Sequence, residues 1–283
     1  MTPHPLLYLG PEGTHSHEAA LRYADAGARP TACLSHFDLF DRLCRSRARV
    51  RPVAVVPVEN SSEGPVTQTL DQLASHPGVT IAASFSLAVR HHLLTGPDTA
   101  SLKAVQRVYS HPQALGQCHA ALRRLVPHAE PMPESSTAAA ARRAASEPGS
   151  AALASADAAR IYGLRVLRRN LQDSRTNTTR FFAVTAHRRT RPAARPAGEV
   201  RSLIHLVIGN RPGALLHALS PFDAAGVNLT FIQSRPLPNR PWEYGFFIEA
   251  VTDWRSPAAE AAWRLILALS ESGRIIGTYP ILP

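Results

Sequence analysis

The feature that most constrains the fold is an alternation, in the first part of the chain, between short apolar runs and helical segments. Two apolar runs, at residues 6–9 and 53–58, and a third strand-like run at residues 105–109 have the length of strands. Each run is followed by a polar or glycine-containing loop and then by a segment with helical character. Strands that alternate with helices in this way predict an α/β fold with largely parallel sheets.

A change of pattern near residue 190 divides the chain. Residues 187–196 read HRRTRPAARP, with four arginines, two prolines and no apolar periodicity. We therefore predict a linker at 187–197 between a domain of residues 1–186 and a domain of residues 198–283. The second domain shows the order β-α-β-β-α-β, which is typical of a ferredoxin-like α+β sandwich. Its segments are residues 203–208, 213–225, 227–234, 242–251, 258–269 and 274–279.

Charge and residue usage limit the kinds of partner. The 31 basic residues, all arginines except Lys103, outnumber the 21 acidic ones and give a formal net charge of +10. The arginines are dispersed, and no zinc-finger or aromatic-basic RNA motif is present. We therefore predict no nucleic-acid partner, but an electrostatic field that attracts a small dianion.

The sequence also predicts the compartment. No apolar run approaches the ~20 residues of a membrane helix, and the N-terminus lacks a secretory apolar region. Cys33, Cys44 and Cys118 are odd in number and lack C-x-x-C spacing, so we expect reduced thiols and no zinc site. These features predict a cytoplasmic protein that does not bind a membrane.

Polar loops after the three predicted strands supply the first candidate site residues. Thr14, Asn60 and Ser110 each follow one strand, and Gln117 lies on the helix after Ser110. Ligands of open α/β sheets bind beyond the carboxyl ends of strands, so we expect these side chains to share one site. Helix N-termini after Thr14 and Ser110 would favour an anion there. Each residue also has a structural alternative: Thr14 and Ser110 as helix caps, Asn60 in an Asx turn, and Gln117 on a solvated helix face.

The segment Asn177-Thr178-Thr179-Arg180-Phe181 places a hydroxyl beside a guanidinium ahead of an apolar run. Arg180 can hold a carboxylate by two parallel hydrogen bonds, and Thr179 offers an O–H donor. Together they would bind an anionic substrate and donate a hydrogen bond to a departing oxygen. The structural alternative is a turn that carries a surface charge.

Other catalytic classes are not indicated. The sequence contains no G-x-S-x-G elbow, no G-x-G-x-x-G fingerprint and no P-loop. His91 and His92 lack the i, i+4 spacing of metal ligands on a helix. We therefore predict no nucleotide cofactor and no metal.

Six longer motifs occur in order over nearly the whole chain. They are YLGPEGTHSHEAA at 8–20, VPVENSSEGPVTQTLDQL at 56–73, SHPQALGQC at 110–118, DSRTNTTRF at 173–181, GAL at 213–215 and VNLTFIQSRP at 227–236. In these motifs the chain resembles the monofunctional bacterial prephenate dehydratases, which carry a C-terminal ACT regulatory domain. The resemblance implies a two-lobed catalytic domain like a periplasmic-binding protein, with lobe 1 at 1–83 and 163–186 and lobe 2 at 84–162. A ferredoxin-like ACT domain would follow.

The resemblance implies that prephenate loses carbon dioxide and water to give phenylpyruvate, a carbon–oxygen lyase reaction of phenylalanine biosynthesis. Aromatisation supplies the driving force, so no cofactor is implied. Thr179 would be the catalytic residue. The substrate-binding residues would be Asn60, Ser110, Gln117, Arg180, Thr14 and Phe181.

The resemblance also implies feedback inhibition by phenylalanine, bound where ACT domains of a homodimer or homotetramer meet. The effector-binding residues would be Gly213, Ala214, Leu215, Asn228, Gln233 and Ser234. Gln233 departs from the family's usual ESRP motif, and the missing carboxylate would weaken effector binding or alter its selectivity. His15 stands where the family commonly has an aromatic residue.

Two alternatives remain open at this point. An arogenate or cyclohexadienyl dehydratase would carry out the same chemistry on an amino acid and release phenylalanine. A non-catalytic amino-acid sensor could use the same scaffold, although it would not need the donors Thr179, Asn60, Ser110 and Gln117. A solute-binding protein would need export.

Overall fold

The computed structural model describes residues 5–24, 28–48, 50–174, 176–186, 199–254 and 256–283. The predicted linker at 187–197 lies outside these described residues. The strands are β1 (Leu6–Leu9), β2 (Thr31–Cys33), β3 (Val53–Asn60), β4 (Gly64–Pro65), β5 (Thr80–Ala88), β6 (His92–Thr95), β7 (Arg107–Ser110), β8 (Glu130–Pro133), β9 (Ser150–Ala154), β10 (Arg165–Arg168), β11 (Thr178–Thr185), β12 (Val200–Val207), β13 (Leu229–Pro236), β14 (Tyr244–Ala250) and β15 (Ser272–Pro280). The helices are α1 (His15–Tyr23), α2 (His36–Arg45), α3 (Thr67–Ser75), α4 (Pro112–Gln117), α5 (His119–Leu125), α6 (Thr137–Ser146), α7 (Ala156–Ile161), α8 (Ala214–Ala224) and α9 (Pro257–Ala268), with a 3₁₀ turn at Leu102–Ala104. Within the described ranges, no helix has both the length and the apolar character needed to cross a membrane.

The described residues form two compact units. The first unit draws on Met1–Leu39, Asn60–Gly64 and Leu87–Thr179, and the second on Phe40–Glu59, Pro65–Ser86 and Arg180–Pro283. The division falls between Glu59 and Asn60 in β3 and between Thr179 and Arg180 in β11. Each of these two strands therefore contributes residues to both units.

A five-stranded sheet in the order β10-β6-β9-β7-β8 forms the centre of the first unit. Strand β7 is parallel to β8 and β9, whereas β6 is antiparallel to β9 and β10. This sheet is thus mixed, and the prediction of a largely parallel sheet is wrong for it, although β1 and β2 in the same unit pair in parallel. Parallel pairing of consecutive strands needs a crossover connection, which is present where α4, α5 and α6 connect β7, β8 and β9.

Neighbouring residues of these strands point to opposite faces and fill two separate cores. Leu93 packs with Val108 on one face, while Leu94 packs with Tyr109 on the other. Helix α6 lies on the second face, where its buried residues are all alanines. Side chains of successive residues alternate between the two faces, so a continuous apolar run along a short strand fills both cores.

One predicted helix is divided in the structure. The sequence predicts a single helix from 113 to 125, whereas α4 and α5 meet at Cys118, whose φ of −119° and ψ of 12° are not helical. The Asp173 carboxylate accepts hydrogen bonds from the backbone N–H groups of Ala120 and Ala121, both at 3.2 Å. This cap starts α5 from a distant part of the chain, and it leaves no signal in the local sequence.

The second unit contains the adjacent strands β3, β11 and β5 and a four-stranded antiparallel sheet in the order β13-β14-β12-β15. The elements β12, α8, β13, β14, α9 and β15 follow one another along the chain. This confirms the predicted order β-α-β-β-α-β. Both helices share one core with the sheet, to which Ile204, Ala218, Ile248 and Ile266 contribute.

Strand β15 approaches β5 closely inside the second unit. A Cβ atom at Gly277 would lie 2.8 Å from the backbone nitrogen and oxygen of Ile81, so only glycine fits there. Next to it, Thr80 Oγ1 donates a hydrogen bond to the Ile276 carbonyl at 2.7 Å. The C-terminal sheet is therefore packed against a strand from the earlier part of the sequence.

Candidate functional site

The predicted donor Thr179 lies beside Asn60 in the first unit. Asn60 is the last residue of β3, and Thr179 is the second residue of β11. Asn60 Nδ2 is 2.9 Å from Thr179 Oγ1, and Asn60 is only 8% exposed. Strand ends thus bring together two predicted site residues that are 119 positions apart in the sequence.

The backbone fixes which way the Asn60 amide faces. Asn60 Oδ1 accepts hydrogen bonds from the N–H groups of Ser62 at 2.9 Å and Glu63 at 3.2 Å. A backbone N–H can only donate, so the amide nitrogen must face Thr179. Asn60 therefore donates and Thr179 Oγ1 accepts, which leaves the hydroxyl hydrogen of Thr179 available for another acceptor. The Asx turn, the structural alternative for Asn60, is what orients the functional group.

A chain of amides continues from Asn60. Its Nδ2 also donates to Asn177 Oδ1 at 2.8 Å. The Asn177 amide nitrogen donates to Gln117 Oε1 at 2.7 Å, and Gln117 Nε2 donates to Glu63 Oε1 at 3.3 Å. All donors along this chain are determined once Asn60 is oriented. We call Asn60, Asn177, Gln117 and Thr179 the amide cluster.

His91 holds Gln117 from a second side. His91 Nε2 lies 3.2 Å from Gln117 Oε1, and because that oxygen only accepts, Nε2 carries the hydrogen. Burial, reinforced by the nearby His15, lowers the pKa of His91 to about 4, although the hydrogen bond to Gln117 opposes the shift. The ring is therefore neutral near pH 7. Its buried Nδ1 has no hydrogen-bond partner among the described residues.

Ser110 occupies a different position from the one predicted. It is the last residue of β7, paired with Pro133 of β8, and it is fully buried. Its hydroxyl donates to the Leu153 carbonyl at 2.7 Å, and His111 caps α4. The helix follows Ser110 as predicted, but the structural alternative that Ser110 caps it is wrong, because pairing with β8 keeps Ser110 in the strand. Its substrate-binding role stays a prediction.

Thr14 takes the structural role that the sequence left open. Its Oγ1 accepts from the His17 N–H at 3.3 Å, which caps α1, and its hydroxyl donates to the Pro11 carbonyl at 2.9 Å. None of the hydrogen bonds found for the described residues joins Thr14 to the amide cluster. A contact of Thr14 with substrate likewise stays a prediction.

Arg180 and Phe181 belong to the second unit, and both side chains are engaged there. Arg180 donates to both carboxylate oxygens of Glu249 at 2.7 Å and forms an ion pair with Glu59 at 3.0 Å. Phe181 is 1% exposed and stacks on Phe85 with ring centroids 5.8 Å apart. The structural alternative of a turn with a surface charge is therefore wrong, because Arg180 lies within β11 and its side chain is 15% exposed. The substrate-binding roles of both residues stay predictions.

The predicted effector residues lie around α8 and β13. Gly213 caps α8 with a φ of 78°, a left-handed conformation that favours glycine. Ala214 and Leu215 line a cavity of about 140 Å³ with Trp242 and Phe246. The remaining three residues do not line this cavity; they are Asn228, Gln233 and Ser234.

Sequence reasoning missed two members of the surroundings of Thr179, namely Asn177 and His91, whereas Glu63 lies in a strand-end loop that is already expected near the site. A signal was present for Asn177, because residues two apart in an extended segment point to the same side, and Asn177 precedes Thr179 by two positions. His91 reaches the site through Gln117, which no local pattern indicates. Within the described residues, no group of three or more His, Cys, Asp or Glu side chains is placed to hold a metal ion.

A cavity of about 720 Å³ in the first unit contains none of the predicted site residues. Arg90, Arg124, Arg168 and Arg169 line it, together with Asp173, which caps α5. We base the candidate site on the directed hydrogen bonds of the amide cluster rather than on cavity size, because the cluster supplies an oriented donor.

A family model and two curated relatives of this chain carry matching descriptions. The family model for prephenate dehydratase matches residues 6–189. A protein of Stutzerimonas stutzeri described as bifunctional chorismate mutase/prephenate dehydratase is 35% identical over 280 residues, which cover 98% of this chain and 73% of that protein. A protein of Aquifex aeolicus with the same description is 35% identical over 275 residues, covering 97% of this chain and 73% of that protein.

Solved structures resemble the whole chain. Prephenate dehydratase from Arthrobacter aurescens in complex with L-Phe aligns with a TM-score of 0.85 and 30% identity, over 98% of this chain and 90% of that chain. GqqA, described as a novel type of quorum quenching acylase, aligns with a TM-score of 0.86 and 29% identity, over 99% and 98% of the two chains.

Proposed function

Because this chain belongs to the prephenate dehydratase family, we propose that it converts prephenate to phenylpyruvate with loss of carbon dioxide and water. The observation that carries the proposal is the orientation of Thr179. Its oxygen accepts from Asn60 Nδ2 at 2.9 Å, so its hydrogen is available to a departing ring hydroxyl.

Thr179 acts as an oriented donor rather than as a strong acid. A threonine hydroxyl does not release its proton fully near pH 7, but its hydrogen bond strengthens as negative charge develops on the leaving oxygen. The hydrogen bond from Asn60 polarises the hydroxyl in the useful direction. Because the product ring is aromatic, the elimination is driven by the substrate's own chemistry, and the proposed mechanism uses no cofactor.

Turnover assays test the reaction. Purified protein is incubated with prephenate and, separately, with arogenate, while phenylpyruvate and phenylalanine are measured. We expect phenylpyruvate from prephenate. Phenylalanine from arogenate would favour the alternative dehydratase, and turnover of neither compound would favour an amino-acid sensor.

Thr179→Val tests the role of the hydroxyl, because valine keeps the shape and removes the donor. We expect kcat to fall about 10²–10³-fold, while Thr179→Ser retains most of the activity. Thr178→Ala is the matched control, since the Thr178 hydroxyl donates locally to the Thr176 carbonyl at 3.3 Å. Near-normal turnover by Thr179→Val would refute the assignment.

The likeness to GqqA raises acylase activity as a second candidate. A threonine nucleophile needs a neighbouring proton acceptor, whereas the polar neighbour that contacts Thr179 Oγ1 here, Asn60 Nδ2, is a donor. This geometry favours elimination over acyl transfer. Release of an acyl chain from an N-acylated compound, abolished by Thr179→Val, would reverse the preference.

The proposal includes feedback inhibition by phenylalanine through a C-terminal ACT domain. The β-α-β-β-α-β order of residues 200–280 and the L-Phe complex of the Arthrobacter aurescens relative support it. Gly213 at the start of α8 would let backbone N–H groups approach the ligand carboxylate. Added phenylalanine should reduce activity in the wild type and much less in Gly213→Ala, since alanine is strained at a φ of 78°. A flat titration of the wild type would contradict the regulation.

The proposal also covers the oligomeric state of the protein and the number of reactions that it catalyses. We infer a homodimer or homotetramer, because Leu216, Ile232 and Trp242 expose large apolar side chains in the C-terminal region; light scattering of the purified chain tests this. The chain is proposed to be monofunctional, which an assay with chorismate checks. The two-lobed, periplasmic-binding-protein-like catalytic domain, its boundaries and the cytoplasmic location stay predictions.

A further inference from the structure

Glu249, on β14 in the second unit, has an unusual set of partners for a side chain that is 0% exposed. Its carboxylate accepts from Arg180 at 2.7 Å, Arg201 at 3.1 Å, Thr230 at 2.6 Å and Tyr279 at 2.6 Å. We call Glu249 and these four donors the carboxylate cluster. A buried carboxylate with so many donors is held in one geometry.

Three of the four donors come from the three other strands of the C-terminal sheet, and the fourth, Arg180, comes from β11. Arg201 lies on β12, Thr230 on β13 and Tyr279 on β15, while Glu249 itself lies on β14. Any shift of one strand relative to another therefore changes the hydrogen bonds of this single carboxylate. The hydrogen bonds of Glu249 therefore depend on the relative positions of all four strands of this sheet.

The carboxylate is charged at neutral pH. Burial alone would raise the pKa of Glu249, but the charge of Arg180 and hydrogen bonds from Thr230 and Tyr279 more than offset it, so the pKa lies below its usual range. Burial and the same carboxylate raise the pKa of Tyr279 well above its ordinary value. The Tyr279 phenol therefore stays protonated and donates a hydrogen bond to Glu249. The negatively charged Glu249 carboxylate forms its ion pair with Arg180.

Arg180 links this carboxylate to the candidate catalytic residue. It follows Thr179 directly in β11, so its side chain leaves the strand on the opposite side from the Thr179 hydroxyl. The guanidinium is 15% exposed, pairs with Glu59 as well as Glu249, and lies 5.6 Å from the Phe182 and Phe231 ring centroids. Only Nη1 donates hydrogen bonds, both of them to Glu249, whereas Nε and Nη2 have no hydrogen-bond partner among the described residues. Glu249 is therefore the main contact that fixes this guanidinium.

We propose that Glu249 is a positioning residue for Thr179 and that its contact with Arg180 couples the C-terminal sheet to catalysis. The proposal rests on the proposed dehydratase function. Effector binding that shifts a strand of the sheet would alter the Glu249–Arg180 contact and with it the backbone that orients the donor. The alternative is that the buried ion pair serves folding only.

Glu249→Gln, which keeps the shape and removes the charge, tests the coupling in the full-length protein. The measurements are kcat and KM for prephenate well below the unfolding temperature, inhibition by phenylalanine, and direct binding of phenylalanine by calorimetry. We expect kcat to fall at least tenfold with KM within about twofold of wild type. Phenylalanine should still bind but inhibit the residual activity much less.

Asp71→Asn is the matched control. Asp71 on α3 pairs with Arg235 on β13 at 2.7 Å, so it also ties the C-terminal sheet to an earlier segment, but both side chains are partly exposed and neither contacts Arg180. This variant should keep the wild-type kcat and its response to phenylalanine. Tyr279→Phe removes one donor from Glu249 and should show a smaller loss of kcat in the same direction, which keeps the test available if Glu249→Gln does not fold.

The outcomes separate the two proposals. A wild-type protein that does not turn over prephenate refutes the proposed function. Wild-type turnover, together with unchanged kcat and phenylalanine response in Glu249→Gln and Tyr279→Phe, refutes the positioning role alone. A lower unfolding temperature without any kinetic change has the same meaning, because a purely structural ion pair predicts it.

Discussion

The peptide bond between Thr179 and Arg180 separates two side-chain clusters that differ in kind. The amide cluster before it consists of neutral groups, and its neighbour His91 is neutral as well. The carboxylate cluster after it contains a buried carboxylate and two guanidinium groups. Neutral amides define the direction of each hydrogen bond at little electrostatic cost, whereas buried charges are expensive to separate and therefore hold a backbone in place. We infer that the amide cluster orients the hydroxyl hydrogen of Thr179 and that the carboxylate cluster holds β11, the strand that carries Thr179.

The largest expected effect is a loss of folding stability when the carboxylate cluster is disrupted. Glu249→Gln should lower the free energy of unfolding by about 3–5 kcal/mol, because it leaves a buried guanidinium without its main partner. Asp71→Asn should cost no more than about 1 kcal/mol, since its ion pair with Arg235 is partly exposed. Urea unfolding of both variants measures the difference. Equal losses would show that burial does not distinguish the two ion pairs.

The next prediction concerns the direction of the hydrogen bond between Asn60 and Thr179 in the amide cluster. Asn60→Asp preserves the oxygen that accepts from the Ser62 and Glu63 N–H groups, but it presents a second oxygen to Thr179 in place of the amide donor. Thr179 would then donate to Asp and no longer to substrate, so we expect kcat to fall about 10²–10³-fold. Steady-state kinetics with prephenate measure this change. A kcat within tenfold of wild type would show that hydrogen-bond direction is not essential.

The smallest expected effect is a difference between the two clusters in the pH range over which folding stability is lost. His91 has its pKa lowered to about 4, below the ~6.5 of an unfolded histidine, so the unfolded chain binds its proton first. Stability is therefore lost as pH falls from about 6.5 towards 4, by about 2 kcal/mol between pH 7.5 and 5. His91→Gln keeps a donor to Gln117 without titrating and should lack this loss.

Glu249 loses its contribution to stability in the same direction, as pH falls, but in a lower pH window. Its folded pKa is lowered, so its contribution to stability is present above the unfolded value of about 4.3 and is lost only as pH falls below it. Denaturant unfolding of wild type, His91→Gln and Glu249→Gln from pH 7.5 to 3.5 measures both windows. Burial also lowers the pKa of His205 to about 4, and this residue contributes to the loss in wild type and variant alike. A loss between pH 7.5 and 5 that is as large in His91→Gln as in wild type would contradict the role given to His91.

The sequence contains enough local information for the elements and for part of the amide cluster. Periodicity predicts the β-α-β-β-α-β order of the C-terminal region. The rule of strand ends predicts one shared site for four side chains, those of Thr14, Asn60, Ser110 and Gln117. The family resemblance adds Thr179 to it. Asn60 and Thr179 are in direct hydrogen-bond contact, and Asn177 connects them to Gln117.

What the sequence does not contain is the pairing of distant polar groups. Arg180 finds Glu249 across 69 positions, and Asp173 caps α5 across 52 and 53 positions. Both contacts depend on how strands and helices are assembled, and no window of local sequence specifies them. The same reason places Ser110 at the end of β7, where pairing with β8 rather than helix propensity decides its conformation.

The Asx turn at Asn60 has an evolutionary consequence. The orientation of the proposed proton donor depends on two backbone N–H groups, those of Ser62 and Glu63. Side chains at these positions can drift without altering the polarity of the site, because every residue except proline supplies the same N–H. Substitutions other than proline at positions 62 and 63 therefore leave the orientation of Asn60 intact, whereas a substitution of Asn60 itself changes the direction of its hydrogen bond to Thr179.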